Sequence, residues 1–121
     1  METTTTLLIV DDSLVSRMIT MKIINQLAPE WELLEAPDGK SALEICQTHS
    51  IDFFSIDLNM PGMDGFQLIE LIKPNHPHSK IALLTANIQD STQKKAHALG
   101  ATCITKPITE ESMRHMIKAF S

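Results

Sequence analysis

The sequence predicts an α/β fold, a doubly wound, five-stranded parallel sheet in the order 2-1-3-4-5 with five helices. Three observations lead there. Short apolar runs recur along the chain, and segments with helical spacing separate them. The first, third and fourth runs are almost continuously apolar, as strands covered on both faces are. Strands alternating with helices join through right-handed crossovers, and for five strands the common order places the switch point between the first and third.

The first run is Leu7-Leu8-Ile9-Val10. The second extends from Trp31 to Ala36, where Glu32 and Glu35 mark an edge strand. The third is Phe53-Phe54-Ser55-Ile56, the fourth Ile81-Ala82-Leu83-Leu84, and the fifth Cys103-Ile104. Val15, Met18, Ile19, Ile23 and Leu27 follow helical spacing after the first strand; Phe66, Ile69 and Ile72 do so after the third, and Met113, Met116, Ile117 and Phe120 at the end. Ser13 and Thr109 are suited to cap helix amino-termini, Pro29 and Pro74 to end helices, and Gly100 to follow the segment that closes at Leu99. Between Ile88 and Leu99 large apolar groups are few, so that helix is expected to be weakly anchored.

The 121 residues fit a single domain, 1–121, with one apolar core and no room for a second module. With 43% apolar and 21% charged residues the composition is that of an ordinary soluble protein, and no run reaches the ~20 apolar residues that span a bilayer. The amino-terminal run Met1-Glu2-Thr3-Thr4-Thr5-Thr6 lacks a basic leader, which places the protein in the cytoplasm. A net charge of -5 with scattered Lys and Arg argues against direct nucleic-acid binding. Cys46 and Cys103 lie far apart without neighbouring ligands and read as free thiols. His49, His76, His78, His97 and His115 show no metal-ligand spacing and read as solvated.

Ligands of such sheets bind at the carboxyl ends of the strands beside the switch point. There the reading gathers Asp11 and Asp12 after the first strand, Asp57 at the end of the third, Thr85 at the end of the fourth and Lys106 at the end of the fifth. Three carboxylates held together repel one another, and a hard cation such as Mg2+ relieves the repulsion. Asp57 is then a natural nucleophile toward phosphorus, with Lys106 offsetting charge and Thr85 donating a hydrogen bond. Singly, each residue has a plainer explanation. Asp11 and Asp12 could cap a helix, Lys106 could be a solvated strand-end lysine, and Thr85 could cap a loop; their convergence is what reverses this. The stretch from Asp57 to Leu68 imitates a calcium loop at Asp57, Asn59 and Gly62, but Pro61 and Leu68 stand where ligands are needed.

Asp11-Asp12-Ser13, Asp57-Leu58-Asn59-Met60-Pro61-Gly62-Met63-Asp64-Gly65, Thr85-Ala86 and Lys106-Pro107, in that order over essentially the whole chain, resemble the response-regulator receiver domains of two-component systems. The resemblance implies a flavodoxin-like fold and a phosphorylation-controlled signalling switch, not an enzyme of turnover. It implies Asp57 as phosphoacceptor, Mg2+ held by Asp11, Asp12, Asp57 and the backbone carbonyl of Asn59, and Thr85 and Lys106 on the phosphoryl oxygens. It also implies a cis Lys106-Pro107 bond, and an influence of Asn59 and Asn87 on phosphate loss. The expected partners are a histidine kinase or phosphotransfer protein and a downstream protein effector, with neither nucleic acid nor membrane. The face of the fourth helix, fifth strand and fifth helix is the expected site of partner binding or homodimer formation; with no output domain expected after the last helix, a stand-alone chemotaxis-type receiver is the simplest form, an excised piece of a longer regulator the alternative.

One position departs from the family. Cys103 stands three residues before the lysine, where receivers commonly carry Tyr or Phe, so the usual inward turn of an aromatic ring cannot operate here. The weakly anchored fourth helix is expected to carry the switch instead. Three other readings compete. A degenerate receiver would act as a constitutive interaction module. A small Mg2+-dependent phosphatase should carry its nucleophile after the first strand, and a flavodoxin-like nucleotide binder should carry a phosphate loop there.

Overall fold

A computed structural model describes residues 4–121; the remainder of the amino-terminal run discussed above lies outside them. The elements follow one another as β1 (Thr6–Val10), α1 (Leu14–Leu27), β2 (Glu32–Ala36), α2 (Gly39–Thr48), β3 (Phe53–Asp57), α3 (Gly65–Ile72), β4 (Lys80–Thr85), α4 (Asp90–Ala98), β5 (Ala101–Thr105) and α5 (Glu110–Phe120). All strand pairs are parallel and the sheet order is β2-β1-β3-β4-β5. The expected order and the edge position of β2 are both found. β5 is longer than the Cys103-Ile104 pair suggested, because Ala101 and Thr105 pair with Ile81 and Thr85.

Alternation along the buried strands divides the core between two faces. Leu8, Val10, Phe54, Ile56 and Leu83 pack with Leu68, Ile69 and Ile72 of α3, Ala42 of α2 and Ala96 of α4. Leu7, Ile9, Ala82, Leu84 and Ile104 pack with Ile24 of α1 and Met113, Met116 and Phe120 of α5. Each fully buried Leu, Ile or Phe removes enough apolar surface from water to contribute about 1.5–3 kcal/mol. At the amino ends of the strands, Phe53 and Phe120 stack with centroids 4.4 Å apart, and Trp31 lies tilted against Phe53 at 5.1 Å.

Helix ends carry the expected signals. Ser13 Oγ accepts the Ser16 N–H, Thr109 and Ser112 form a reciprocal capping box, and Gly100 closes α4 with a φ of 81°. Two expectations about helix faces are sharpened. In α1, Val15, Met18 and Ile19 have the helical spacing expected, yet they are exposed, together with Leu14; the sheet side is supplied by Thr20 and Ile24. α4 buries only Ala96, which matches its expected weak anchoring. Among the described residues, no helix is long and apolar enough to cross a membrane.

Candidate functional site

The carboxyl edge of the sheet assembles the charged groups through backbone register. Leu58 N–H donates to Leu84 O, Lys106 N–H to Thr85 O and Asp11 N–H to Ala36 O, so each residue that leaves a strand stays tied to the neighbouring strand. Asp57 closes β3 opposite Leu84, and Thr85 closes β4 opposite Thr105, one residue before Lys106.

The three carboxylates meet. One oxygen each from Asp11, Asp12 and Asp57 lies within 4.8 Å of the others. Asp11 and Asp57 are buried, at 5% and 6% exposure, while Asp12 is open to solvent. Lys106 Nζ stands 3.2 Å from Asp57 Oδ1 and 3.8 Å from Asp11 Oδ2. Burial pushes the Asp57 carboxyl above its ordinary range; Lys106 opposes the rise, and Asp11 adds to it. Asp57 Oδ1 also receives the Asn59 N–H at 3.4 Å, and Asp11 Oδ1 receives the Ser13 N–H at 2.9 Å. The donor set is entirely oxygen, with two shielded carboxylates and one open to water. That suits a hard divalent cation that retains part of its hydration, and Mg2+ fits it.

Thr85 is buried at the same edge. Its Oγ1 accepts the N–H of Asn87 at 3.2 Å, which leaves the hydroxyl proton free to be donated. The Lys106-Pro107 peptide is cis, as the family resemblance implied.

The loop from Asp57 to Gly65 depends on a close approach. Gly65 begins α3, and its N–H donates to Leu58 O at 2.9 Å. A Cβ there would meet Asp57 O and Leu58 Cα at 2.9 Å and Leu83 Cδ1 at 2.7 Å. Only glycine lets the start of α3 lie against the end of β3, and Asp64 beside it caps the helix in a box with Gln67.

Two residues at the site were not singled out from sequence. Arg17 Nη1 donates to the Asp11 carbonyl at 2.7 Å, and its Nε donates to Glu35 Oε1 at 2.7 Å. The signal was available in principle, since Arg17 lies one helical turn beyond the cap Ser13, but nothing in sequence tells which strand it reaches. Glu35 was read only as the mark of an edge strand.

The class that this sheet and this acidic edge define is the receiver. The response regulator receiver domain family matches residues 7–118, and the chain belongs to it; it is a CheY-like receiver domain of two-component signalling. The Rhizobium etli protein described as "Probable chemotaxis protein CheY" is 31% identical over 115 residues, which cover 93% of this chain and 88% of that protein. Sensor protein EvgS of Escherichia coli K12 is 32% identical over 89% of this chain, and the sensor kinase/phosphatase LuxN of Vibrio harveyi 30% over 93%. The chain spans only 9% and 13% of those two sensors. Chemotaxis protein CheY4 of Vibrio cholerae superposes with a TM-score of 0.90 at 25% identity, over 98% of this chain and all of that one.

Proposed function

We propose that the chain is a single receiver domain working in the cytoplasm as a phosphorylation-controlled switch, with Asp57 as the phosphoacceptor. The observation that carries this reading is the buried Asp57 carboxylate held between Lys106 and the two other carboxylates. Asp11, Asp12, Asp57 and the backbone carbonyl of Asn59 would hold Mg2+. When bound, the ion offsets negative charge on the transferring phosphoryl group.

The donor is a phosphohistidine of a kinase or phosphotransfer protein. An Asp57 carboxylate oxygen forms a bond to phosphorus as the donor N–P bond breaks; the imidazole nitrogen keeps the electron pair of that bond and is reprotonated from water. Lys106 Nζ, already against Asp57, neutralises charge on a phosphoryl oxygen, and the Thr85 hydroxyl donates to another. The donor reaches the site along α1, where exposed Leu14, Val15, Met18 and Ile19 continue into a groove formed by Ile19, Ala86, Pro107 and Ile108 beside Lys106.

The output is a change in partner binding, or in self-association, at the α4-β5-α5 face. Thr85 drawn toward the phosphoryl group shifts the loop that leads into α4, the helix that buries only Ala96. Cys103 sits in the groove between α4 and β5 with His97 and Ala98, where its small side chain leaves the readout to α4 itself. Identical α4 amide chemical shifts with and without beryllofluoride would exclude that route.

The switch chemistry is tested by intact mass after incubation with acetyl phosphate and Mg2+. A gain of about 80 Da, the mass of one phosphoryl group, is expected for the wild type and absent from Asp57→Asn and from a chelated sample. No gain under conditions that label another receiver would leave a constitutive interaction module.

A further inference from the structure

Arg17 is the one guanidinium at the acidic edge, and it touches none of the three carboxylates there. Its Nη1 donates to the main-chain carbonyl of Asp11, and its Nε to Glu35 on the edge strand β2. The Arg17 side chain is only 12% exposed, so the guanidinium is largely covered, while its Glu35 partner lies at the surface with 41% exposure. A helical side chain leans toward the amino-terminus of its helix. Position 17, whose N–H bonds to Ser13 O at 3.0 Å, is therefore aimed at the turn between β1 and α1.

The carbonyl it holds belongs to the peptide joining Asp11 to Asp12. That one peptide plane sets the direction of both carboxylate-bearing residues. On its other side Asp11 is fixed by its own N–H to Ala36 O at 3.1 Å, again on β2. The acidic turn is thus tied to the edge strand twice, once directly and once through Arg17 and Glu35.

Resting on the receiver reading above, we propose that Arg17 is a positioning residue for cation binding. It orients the Asp11–Asp12 turn while Glu35 keeps its guanidinium off the carboxylate oxygens that a cation needs. A bidentate, planar donor suits that task, and a lysine at the same place could reach only one of the two partners. Residues that orient metal ligands without touching the metal commonly change affinity by 10–100-fold when altered.

The test compares variants that keep the hydrogen-bonding fork with variants that break it. Mn2+ binding is followed by electron paramagnetic resonance on the whole chain, together with the melting temperature with and without Mg2+. Arg17→Lys keeps the charge and is expected to weaken Mn2+ binding about tenfold. It should also shrink the rise in melting temperature given by Mg2+, with little change in the metal-free protein. Glu35→Gln keeps an acceptor and should bind Mn2+ as the wild type does, whereas Glu35→Ala should bind up to about tenfold more weakly.

A merely structural Arg17 would lower the metal-free melting temperature and leave the Mn2+ affinity intact, and that result overturns the proposal. Should Arg17→Lys fail to fold, the exposed Glu35 pair decides: equal affinity of Glu35→Gln and Glu35→Ala overturns it as well. Failure of the receiver reading would look different, because wild-type protein would then bind no Mn2+ at this site, or bind it equally well after Asp57→Asn.

Discussion

Lys106 Nζ lies between two buried carboxylates, 3.2 Å from Asp57 Oδ1 and 3.8 Å from Asp11 Oδ2, so one cation already answers part of the charge at the edge of the sheet. Its place on the residue directly after β5 is set by the backbone bond from its N–H to Thr85 O. Lys106→Met removes the charge and keeps most of the length. The expected result is phosphorylation by acetyl phosphate about 100-fold slower, the scale on which a preorganised charge stabilises a transition state. Mn2+ binding should persist, because the three carboxylates remain. A variant labelled at the wild-type rate would show that Lys106 has no part in the transfer.

The buried Asp57 carboxyl gives a pH dependence with a definite sign. Its folded-state pKa is raised by burial, so the stability associated with this group is full below its unfolded pKa and is lost as pH rises through the folded value. Metal-free Asp57→Asn cannot ionise and should melt higher than the wild type at neutral pH. The gap should narrow as pH falls toward 4, the range of an ordinary aspartate. Melting curves from pH 4 to 7 in chelator check this, and a gap that widened toward acid would contradict it.

Gly65→Ala tests the contact between α3 and the end of β3. The added methyl meets backbone at Asp57 and Leu58 as well as the flexible Leu83 side chain, so relief requires the loop to move. Overpacking of this kind destabilises by about 1–3 kcal/mol. Because the atoms displaced adjoin Asp57, Mn2+ binding should fall along with denaturant stability; loss of stability with full binding would separate loop from site.

Thr109→Ala removes one half of the capping box with Ser112 at the start of α5. The expected loss is about 1 kcal/mol in urea unfolding. The helix is otherwise held by Met113, Met116 and Phe120 in the core, so the m-value should not change.

The sheet was legible because β1, β3 and β4 are buried on both faces and therefore written as apolar runs, with β2 betrayed as an edge by Glu32 and Glu35; the half-exposed edge strand β5 showed only its Cys103-Ile104 centre. The convergence of Asp11, Asp12, Asp57 and Lys106 followed from strand order alone, since each leaves the same edge of a parallel sheet. Faces were harder. The periodicity of α1 was correct, but Val15, Met18 and Ile19 are apolar on the side away from the sheet, and periodicity gives a stripe without saying what it meets. The tie from Arg17 to Glu35 joins groups 18 residues apart and depends on side-chain reach across the β1–β2 edge, which no local pattern encodes.

The single tryptophan, Trp31, packs tilted against Phe53, which stacks on Phe120, at the amino ends of the strands, across the full length of the sheet from Asp57. Nature has in effect placed the chain's one strong fluorophore at the pole opposite its chemistry. Its emission should therefore be a clean optical clock for unfolding and nearly blind to ion binding or phosphorylation, so an optical assay of the switch needs a second reporter attached near α4.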